Sequence, residues 1–265
     1  MAALRAASAS HSRALASPSA LGAAIPNVIT MPNVVTMKDV QFAWPGRNAF
    51  AMTIADFSLQ AREKVLLIGP SGNGKSTFLS LMCGVVSPRA GSIDVMGTDL
   101  AKLTSSARDR FRAEHFGIIF QMFNLLPYAG VCDNVVLPLH FAANRKARAG
   151  AGQTVEAEAA RLLHSVGIEP EMMAGPRAAN LSVGQQQRVA AARALIGSPE
   201  IVVADEPTSA LDRNRQTQFL DLLFGEAASA GSAVIMVSHD ESLAPRFDRV
   251  LNLNEIAQTA RGGPA

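Results

Sequence analysis

The chain is short of several things at once. Of its 265 residues two are cysteine, one is tryptophan and one is tyrosine, and only 17% are charged. The two cysteines, Cys83 and Cys132, exclude a disulfide scaffold and a four-cysteine zinc site, and fit a reducing compartment. No apolar run approaches the roughly 18–20 residues needed to cross a bilayer. The longest candidates, Ile201–Ala204 and Ala233–Val237, are strand-sized. With 24 basic groups against 22 acidic, the balance of +2 is too near neutral for a whole-protein nucleic-acid binder, so no nucleic-acid partner is expected. Residues 1–36 contain no Asp or Glu at all.

That acid-free start, rich in Ala and Ser with Arg5 and Arg13, has the composition of an organellar transit peptide. It lacks the compact apolar core of a secretory signal, and Pro18 and Pro26 interrupt it. The simpler reading of residues 1–33 is a disordered or targeting-like extension, or a start placed upstream of Met31 or Met37.

Hydrophobic residues are abundant, at 48%, and from Val34 onward they fall into patterns. Val35–Phe42 and Met52–Leu59 read as strands around the turn-forming Pro45-Gly46. Val65–Ile68, Ser92–Met96 and Phe116–Phe120 read as further strands, and helical spacing dominates from about 131 to 197, including Val155–Val166. Strand-like runs return at Ile201–Ala204, Ala233–Val237 and Val250–Leu253, with a helix around Arg213–Ala228. Strands alternating with helices imply a mostly parallel sheet covered on both faces, with the helical middle as an insertion. The chain shows no internal repeat.

Gly69-Pro70-Ser71-Gly72-Asn73-Gly74-Lys75-Ser76-Thr77 matches the G-x-x-x-x-G-K-[ST] phosphate loop and lies where that loop belongs, after a strand and opening a helix. Glycines accept positive φ, so successive N–H groups turn inward to cradle phosphate oxygens. The helix N-terminus adds favourable partial charge. Lys75 is expected to neutralise the β- and γ-phosphates and Ser76 to ligate Mg²⁺. Ile201–Asp205 is an apolar strand ending in Asp205-Glu206. At the carboxyl edge of a parallel sheet, Asp205 would hold Mg²⁺ and Glu206 would polarise the attacking water. Ser182 reads as the N-cap of a helix through Ala190–Leu195, which explains it structurally. With Gly184 it also makes a second anion-binding helix start, one more than a single nucleotide requires.

The Lys75 loop, the stretch Leu181-Ser182-Val183-Gly184-Gln185-Gln186-Gln187-Arg188, and Asp205-Glu206 followed by Pro207-Thr208 and Ser209-Ala210-Leu211-Asp212 together resemble the ATP-binding cassette (ABC) ATPases over roughly residues 34–256. The resemblance implies an α/β P-loop NTPase fold with a mixed core sheet, an antiparallel β subdomain and an inserted helical subdomain over about 122–197, leaving 257–265 as a C-terminal tail. It implies ATP and Mg²⁺ as cofactors and a head-to-tail homodimer, in which Ser182, Gly184 and Gln185 act on the nucleotide held by the other copy, with Asp212 at the interface. Val183 stands where the family more commonly has glycine. Gln121 matches the glutamine that senses Mg²⁺ and the membrane partner, and His239 matches the switch histidine at the γ-phosphate. Trp44 lies where the family stacks an aromatic on adenine, with Phe42 as the competitor for that place and the better core residue.

Phe116–Pro127, followed by Asp133–Leu139, is similar to the lipoprotein-release and macrolide-export group, whose ATPases pair with an integral membrane permease. Only Asp240–Ala265 follows His239, which leaves no room for the regulatory domain common in sugar importers. The resemblance therefore implies an ATP-hydrolysing subunit at the cytoplasmic face of the inner membrane, peripheral to it. Two alternatives stand beside it: a soluble ABC ATPase of the iron–sulfur assembly type, and the ATPase of a polar amino-acid importer.

Overall fold

The computed structural model describes residues 31–46, 50–174, 177–209 and 211–261. The extension expected over 1–33 lies outside them except for its last three residues, of which Asn33 already belongs to a strand. Among the described residues no helix is long and apolar enough to cross a membrane.

The chain opens with β1 (Asn33–Ala43) and β2 (Phe50–Gln60), paired antiparallel, then β3 (Lys64–Ile68), the phosphate loop and α1 (Lys75–Met82). Next come β4 (Ala90–Val95), β5 (Thr98–Asp99), α2 (Ser105–His115) and β6 (Phe116–Ile119). The helical middle holds α3 (Val131–Val136), α4 (Ala143–Ala149), α5 (Val155–Ser165), α6 (Pro170–Ala174) and α7 (Val183–Leu195). The last part runs through β7 (Ile201–Asp205), α8 (Arg213–Ala230), β8 (Ala233–Ser238), β9 (Arg249–Asn252), α9 (Leu253–Ile256) and β10 (Ala257–Arg261).

Among the described residues the strands form two five-stranded sheets. One has the order β6-β7-β8-β3-β9 with every pair parallel; the other has the order β10-β2-β1-β4-β5 with every pair antiparallel. The mixture expected of the core is thus shared out between two sheets.

Burial explains why the parallel strands read as unbroken apolar runs. Side chains alternate between faces, and both faces are covered. Val65 and Leu67 of β3, with Val203 of β7 and Ile235 of β8, join the core that includes Phe78 of α1 and Met37 and Ile54 of the antiparallel sheet. Leu66, Val202 and Val234 point the other way, into the core built with Leu162, Val189 and Leu220 from α5, α7 and α8. Truncating a side chain as fully buried as Leu66 to alanine costs about 2–5 kcal/mol. Cys83, which caps the C-terminus of α1, is fully buried, and burial pushes its thiol up to about 12, so it packs as a small apolar group.

Two elements depart from the sequence reading. Residues 257–261, expected as part of a C-terminal tail, form β10, which pairs with β2 from Ala257 against Ile54 to Arg261 against Phe50. The unpaired edge of β2 offers a row of backbone donors and acceptors that Ala-Gln-Thr-Ala satisfies with Ala257 alone buried in the core. The helix α2 was not expected at all. It buries none of its residues, so it carries no apolar stripe to read; Thr104 caps it, accepting from the Ala107 N–H.

A buried cation ties the helical middle to the parallel sheet. Arg145 of α4 is 1% exposed and donates to the carbonyls of Ala113, Phe116, Ala194 and Ile196. Burial lowers its pKa to about 10. Four elements are pinned by one side chain.

Candidate active site

The register of the parallel sheet sets the site. Ile68 pairs with Ser238, Leu67 with Val237, and Val237 in turn with Asp205. The strands therefore end level, and the residues that follow them, Gly69, His239 and Glu206, emerge side by side at the carboxyl edge. On the far side of β7, Ile119 pairs with Ala204, so Gln121 emerges at the same edge. Open α/β sheets bind ligands at this edge. A cleft of about 760 Å³ lies there, floored by the 71–77 loop and walled by Phe50, Gln121, Asp205, Glu206 and His239.

The loop takes the shape its glycines permit. Gly69, Gly72 and Gly74 have φ of 155°, 80° and 96°. At Gly74 the requirement is also steric: an added Cβ would lie 2.3 Å from the ring of Phe50 and 2.7 Å from Met52. No side chain caps the start of α1, so its first N–H groups face the cleft. Lys75 is 7% exposed and its ammonium donates to the carbonyls of Gly69 at 2.6 Å and Pro70 at 3.1 Å, inside the curve of the loop. Asn73 anchors the outer side of the loop to α9 through Asn254 at 3.1 Å.

Two acid-centred pairs sit on the opposite wall. The Ser76 hydroxyl donates to the Asp205 carboxylate at 2.9 Å. Burial pushes the Asp205 carboxyl above its usual range, with Glu206 next to it acting in the same direction and the Ser76 hydrogen bond and Lys75 opposing. A hydroxyl and a carboxylate in contact, with the amide of Gln121 on the same wall, form an all-oxygen donor set. That set suits Mg²⁺, which takes one or two protein oxygens and completes its shell with phosphate oxygens and water. Among the described residues no three His, Cys, Asp or Glu side chains cluster as a metal site.

The second pair is Glu206 and His239, whose Nδ1 lies 2.9 Å from the Glu206 carboxylate. The Glu206 side chain is 12% exposed and that of His239 61%. Glu206 has φ of 48°, a left-handed conformation that costs a non-glycine residue on the order of 1–3 kcal/mol. Its N–H donates to Val237, extending the sheet ladder by one bond, while Ser209 bonds its carbonyl. The turn is held from both sides, and the carboxylate is turned toward the histidine.

Not every expected residue reaches this cleft. Trp44 is 41% exposed and its indole N–H lies 3.4 Å from the Thr77 hydroxyl, beside the start of α1, but Phe50 is the aromatic that lines the cleft. Phe42 is buried and meets the Trp44 ring edge to face at 5.1 Å, as a core residue would. Phe50 escaped the sequence reading because an aromatic opening a strand after a polar turn looks like core. Ser182, Gly184 and Gln185 lie at the exposed start of α7, away from the cleft. Ser182 and Gln185 cap each other across that start: Ser182 N–H donates to the Gln185 side chain at 2.8 Å, and Gln185 N–H to the Ser182 hydroxyl at 3.4 Å. Asp212 caps α8, accepting from Arg215 at 3.0 Å.

A phosphate loop on an inner strand of a parallel sheet, facing a carboxylate pair across one neighbouring strand, defines a P-loop nucleotide hydrolase. A family model described as ABC transporter matches residues 52–209, more than half of the chain. The lipoprotein-releasing system ATP-binding protein LolD of Hydrogenovibrio crunogenus is 38% identical over 200 residues, covering 76% of this chain and 84% of that protein. The protein of the same name from Novosphingobium aromaticivorans is 40% identical over 200 residues, 76% and 86% of the two chains. The dimeric structure of the bacterial ABC transporter cassette MJ0796 superposes with a TM-score of 0.74 at 29% identity, over 87% of this chain and all of that one. The chain belongs to the ABC transporter family and is one of its ATPase cassettes.

Proposed function

We propose that this cassette binds ATP with Mg²⁺ in the cleft, closes head to tail on a second copy, and powers a membrane permease of the lipoprotein-release type. The observation that carries the reading is the level ending of β3, β8 and β7, which gathers Lys75, the Ser76–Asp205 pair and the Glu206–His239 pair at one edge. The loop N–H groups and Lys75 neutralise the phosphate oxygens. Ser76, Asp205 and Gln121 supply oxygen donors to Mg²⁺. Mg²⁺, when bound, supplies the charge that offsets the transferring phosphoryl group. Glu206 draws a proton from the water in line with the γ-phosphate, and His239 holds that carboxylate in place and reaches the phosphate itself. Trp44 and Phe50 offer flat faces to the adenine.

Ser182, Gly184, Gln185 and Asp212 take their place on the nucleotide of the second copy. The exposed side chains of Phe120, Met122 and Tyr128 in the segment after β6, with Phe141 nearby, give the permease an apolar foothold. Beside them runs a groove of about 650 Å³. The cassette then works at the cytoplasmic face of the inner membrane. The LolD relatives support the lipoprotein-release assignment over an amino-acid importer or an iron–sulfur assembly ATPase.

The test is Glu206→Gln. ATP binding, followed by calorimetry, is retained while turnover falls by about 10²–10⁴-fold, the usual contribution of a general base. Turnover at the normal rate would remove Glu206 from the mechanism. Co-purification of the chain with a multi-span membrane protein tests the permease, and recovery with a soluble scaffold alone would favour the assembly ATPase.

A further inference from the structure

The segment that carries Gln121 is built in an unusual way. Phe120 accepts from the Phe123 N–H at 2.9 Å, which makes Gln121 and Met122 the tip of a tight turn. The turn then continues through two consecutive left-handed residues that are not glycine, Phe123 at φ 57° and Asn124 at φ 49°. Each Cβ crowds its own carbonyl, and the Asn124 N–H bond to Met122 at 2.6 Å closes the turn only on itself. The buried Phe123 ring and Arg193, from the C-terminal half of α7, tie it to the rest of the fold. Its guanidinium donates to the Phe123 carbonyl at 2.5 Å and the Asn124 carbonyl at 2.7 Å, one bond to each strained residue.

Arg193 is 7% exposed, and its guanidinium is spent on these two carbonyls. Burial without a carboxylate partner depresses its pKa, so the charge is kept at a cost that only these bonds offset. The fork geometry is what the site uses, because a guanidinium meets two adjacent carbonyls at once and an ammonium does not. Further along the same segment, the fully buried Asn134 accepts from the Leu126 N–H and donates to the carbonyls of Leu126 and Gly130. The part beyond Leu126 is therefore fixed to α3, while the part bearing Gln121 is fixed to α7. The other end of α7 presents Ser182 and Gly184, and Arg193 also lines the floor of the groove beside Phe120.

We propose that Arg193 is a positioning residue: by tying the Phe123 and Asn124 carbonyls to α7 it sets where Gln121 stands relative to the Ser76–Asp205 pair. This rests on the reading of Gln121 as an oxygen donor to Mg²⁺. The full-length chain carrying Arg193→Lys, Arg193→Met, Gln121→Ala and the double change Arg193→Lys/Gln121→Ala tests it. Two quantities are read: the factor by which Mg²⁺ tightens a non-hydrolysable ATP analogue, by calorimetry, and kcat and KM separately. Arg193→Lys keeps the charge and loses the fork. It is expected to cut the Mg²⁺ enhancement and kcat about tenfold through misplacement of Gln121, with affinity for the Mg²⁺-free analogue and KM unchanged within about twofold. The double variant is expected to be no worse than Gln121→Ala alone. An Arg193→Lys chain that melts earlier but keeps its Mg²⁺ enhancement overturns the proposal, as does a double variant whose losses multiply. If Arg193→Met fails to fold, Arg193→Lys still decides. A Gln121→Ala chain with normal Mg²⁺ enhancement instead overturns the role given to Gln121 itself.

Discussion

The chain offers two helix starts to an anion, at α1 and at α7, and they are built to opposite plans. The start of α1 has no side-chain cap, lies behind a glycine-shaped loop, and shares a cleft with a buried lysine and two carboxylates. Its orphan N–H groups are left for a ligand. The start of α7 is closed by its own capping box, while Val183 is 53% exposed and a Cβ added at Gly184 would touch nothing within 4 Å. One is a concave site lined by a single chain; the other is an exposed helix start, structurally content on its own, which the proposed head-to-tail dimer would set against the nucleotide of a second copy. The lesson is that a helix start whose own N–H groups are already capped offers a ligand less than one left open.

Three changes bear on that contrast, and Lys75→Ala has the largest expected effect. It removes the cation from the concave site, and nucleotide affinity measured by calorimetry should fall about 10–100-fold, the worth of a charge-assisted hydrogen bond to phosphate. Undiminished binding would mean that the loop is not the phosphate cradle. Ser182→Asp comes next and separates the two roles of the α7 start. Aspartate caps as well as serine does, so the melting temperature should hold, and binding of ATP to the single chain should stay within about twofold. ATP-driven dimerisation, followed by light scattering, should be lost because a carboxylate now faces phosphate. A dimer that still forms would take Ser182 out of the interface.

The smallest effect is that of Asp205→Asn on stability without Mg²⁺. The folded-state pKa of Asp205 is raised, so its ionisation opposes folding increasingly as the pH rises above the ordinary aspartate range and in full above the raised value. The asparagine chain should therefore melt higher than the parent at pH 7. That advantage should shrink as the pH falls and vanish below about 3.9, the ordinary aspartate value, where both states are protonated. Thermal melts across that range check the sign; an advantage that grew on acidification would contradict it.

Which features were legible in the sequence follows the same division. The phosphate loop, the carboxylates after β7 and the parallel strands stand out because buried strands are continuous apolar runs and the loop needs its glycines. The helix α2 was invisible because it buries none of its residues, and β10 because Ala-Gln-Thr-Ala pairs through its backbone and buries a single small side chain, Ala257. The arginines were the deeper loss. Arg145 and Arg193 sit in helical sequence where a charged residue reads as solvated surface, yet both are buried and bonded to carbonyls far along the chain. No local pattern announces such partners; they exist only once distant backbone has been brought together. Phe50 belongs to the same class, since what marks it is its place across Gly74 and not its type.

The strand order has a consequence for how the molecule comes into being. β3, with its phosphate loop, and β7, with its carboxylates, are not neighbours in the sheet; β8 lies between them and pairs with both. As the ribosome releases the chain from its N-terminus, loop and carboxylates are both synthesised before the piece that joins them. The central seam closes only when residues 233–238 are free to slide in, a late, long-range step of the kind that slows folding. Until then the growing polypeptide carries the phosphate loop and both carboxylates, but neither His239 nor the strand that sets them level.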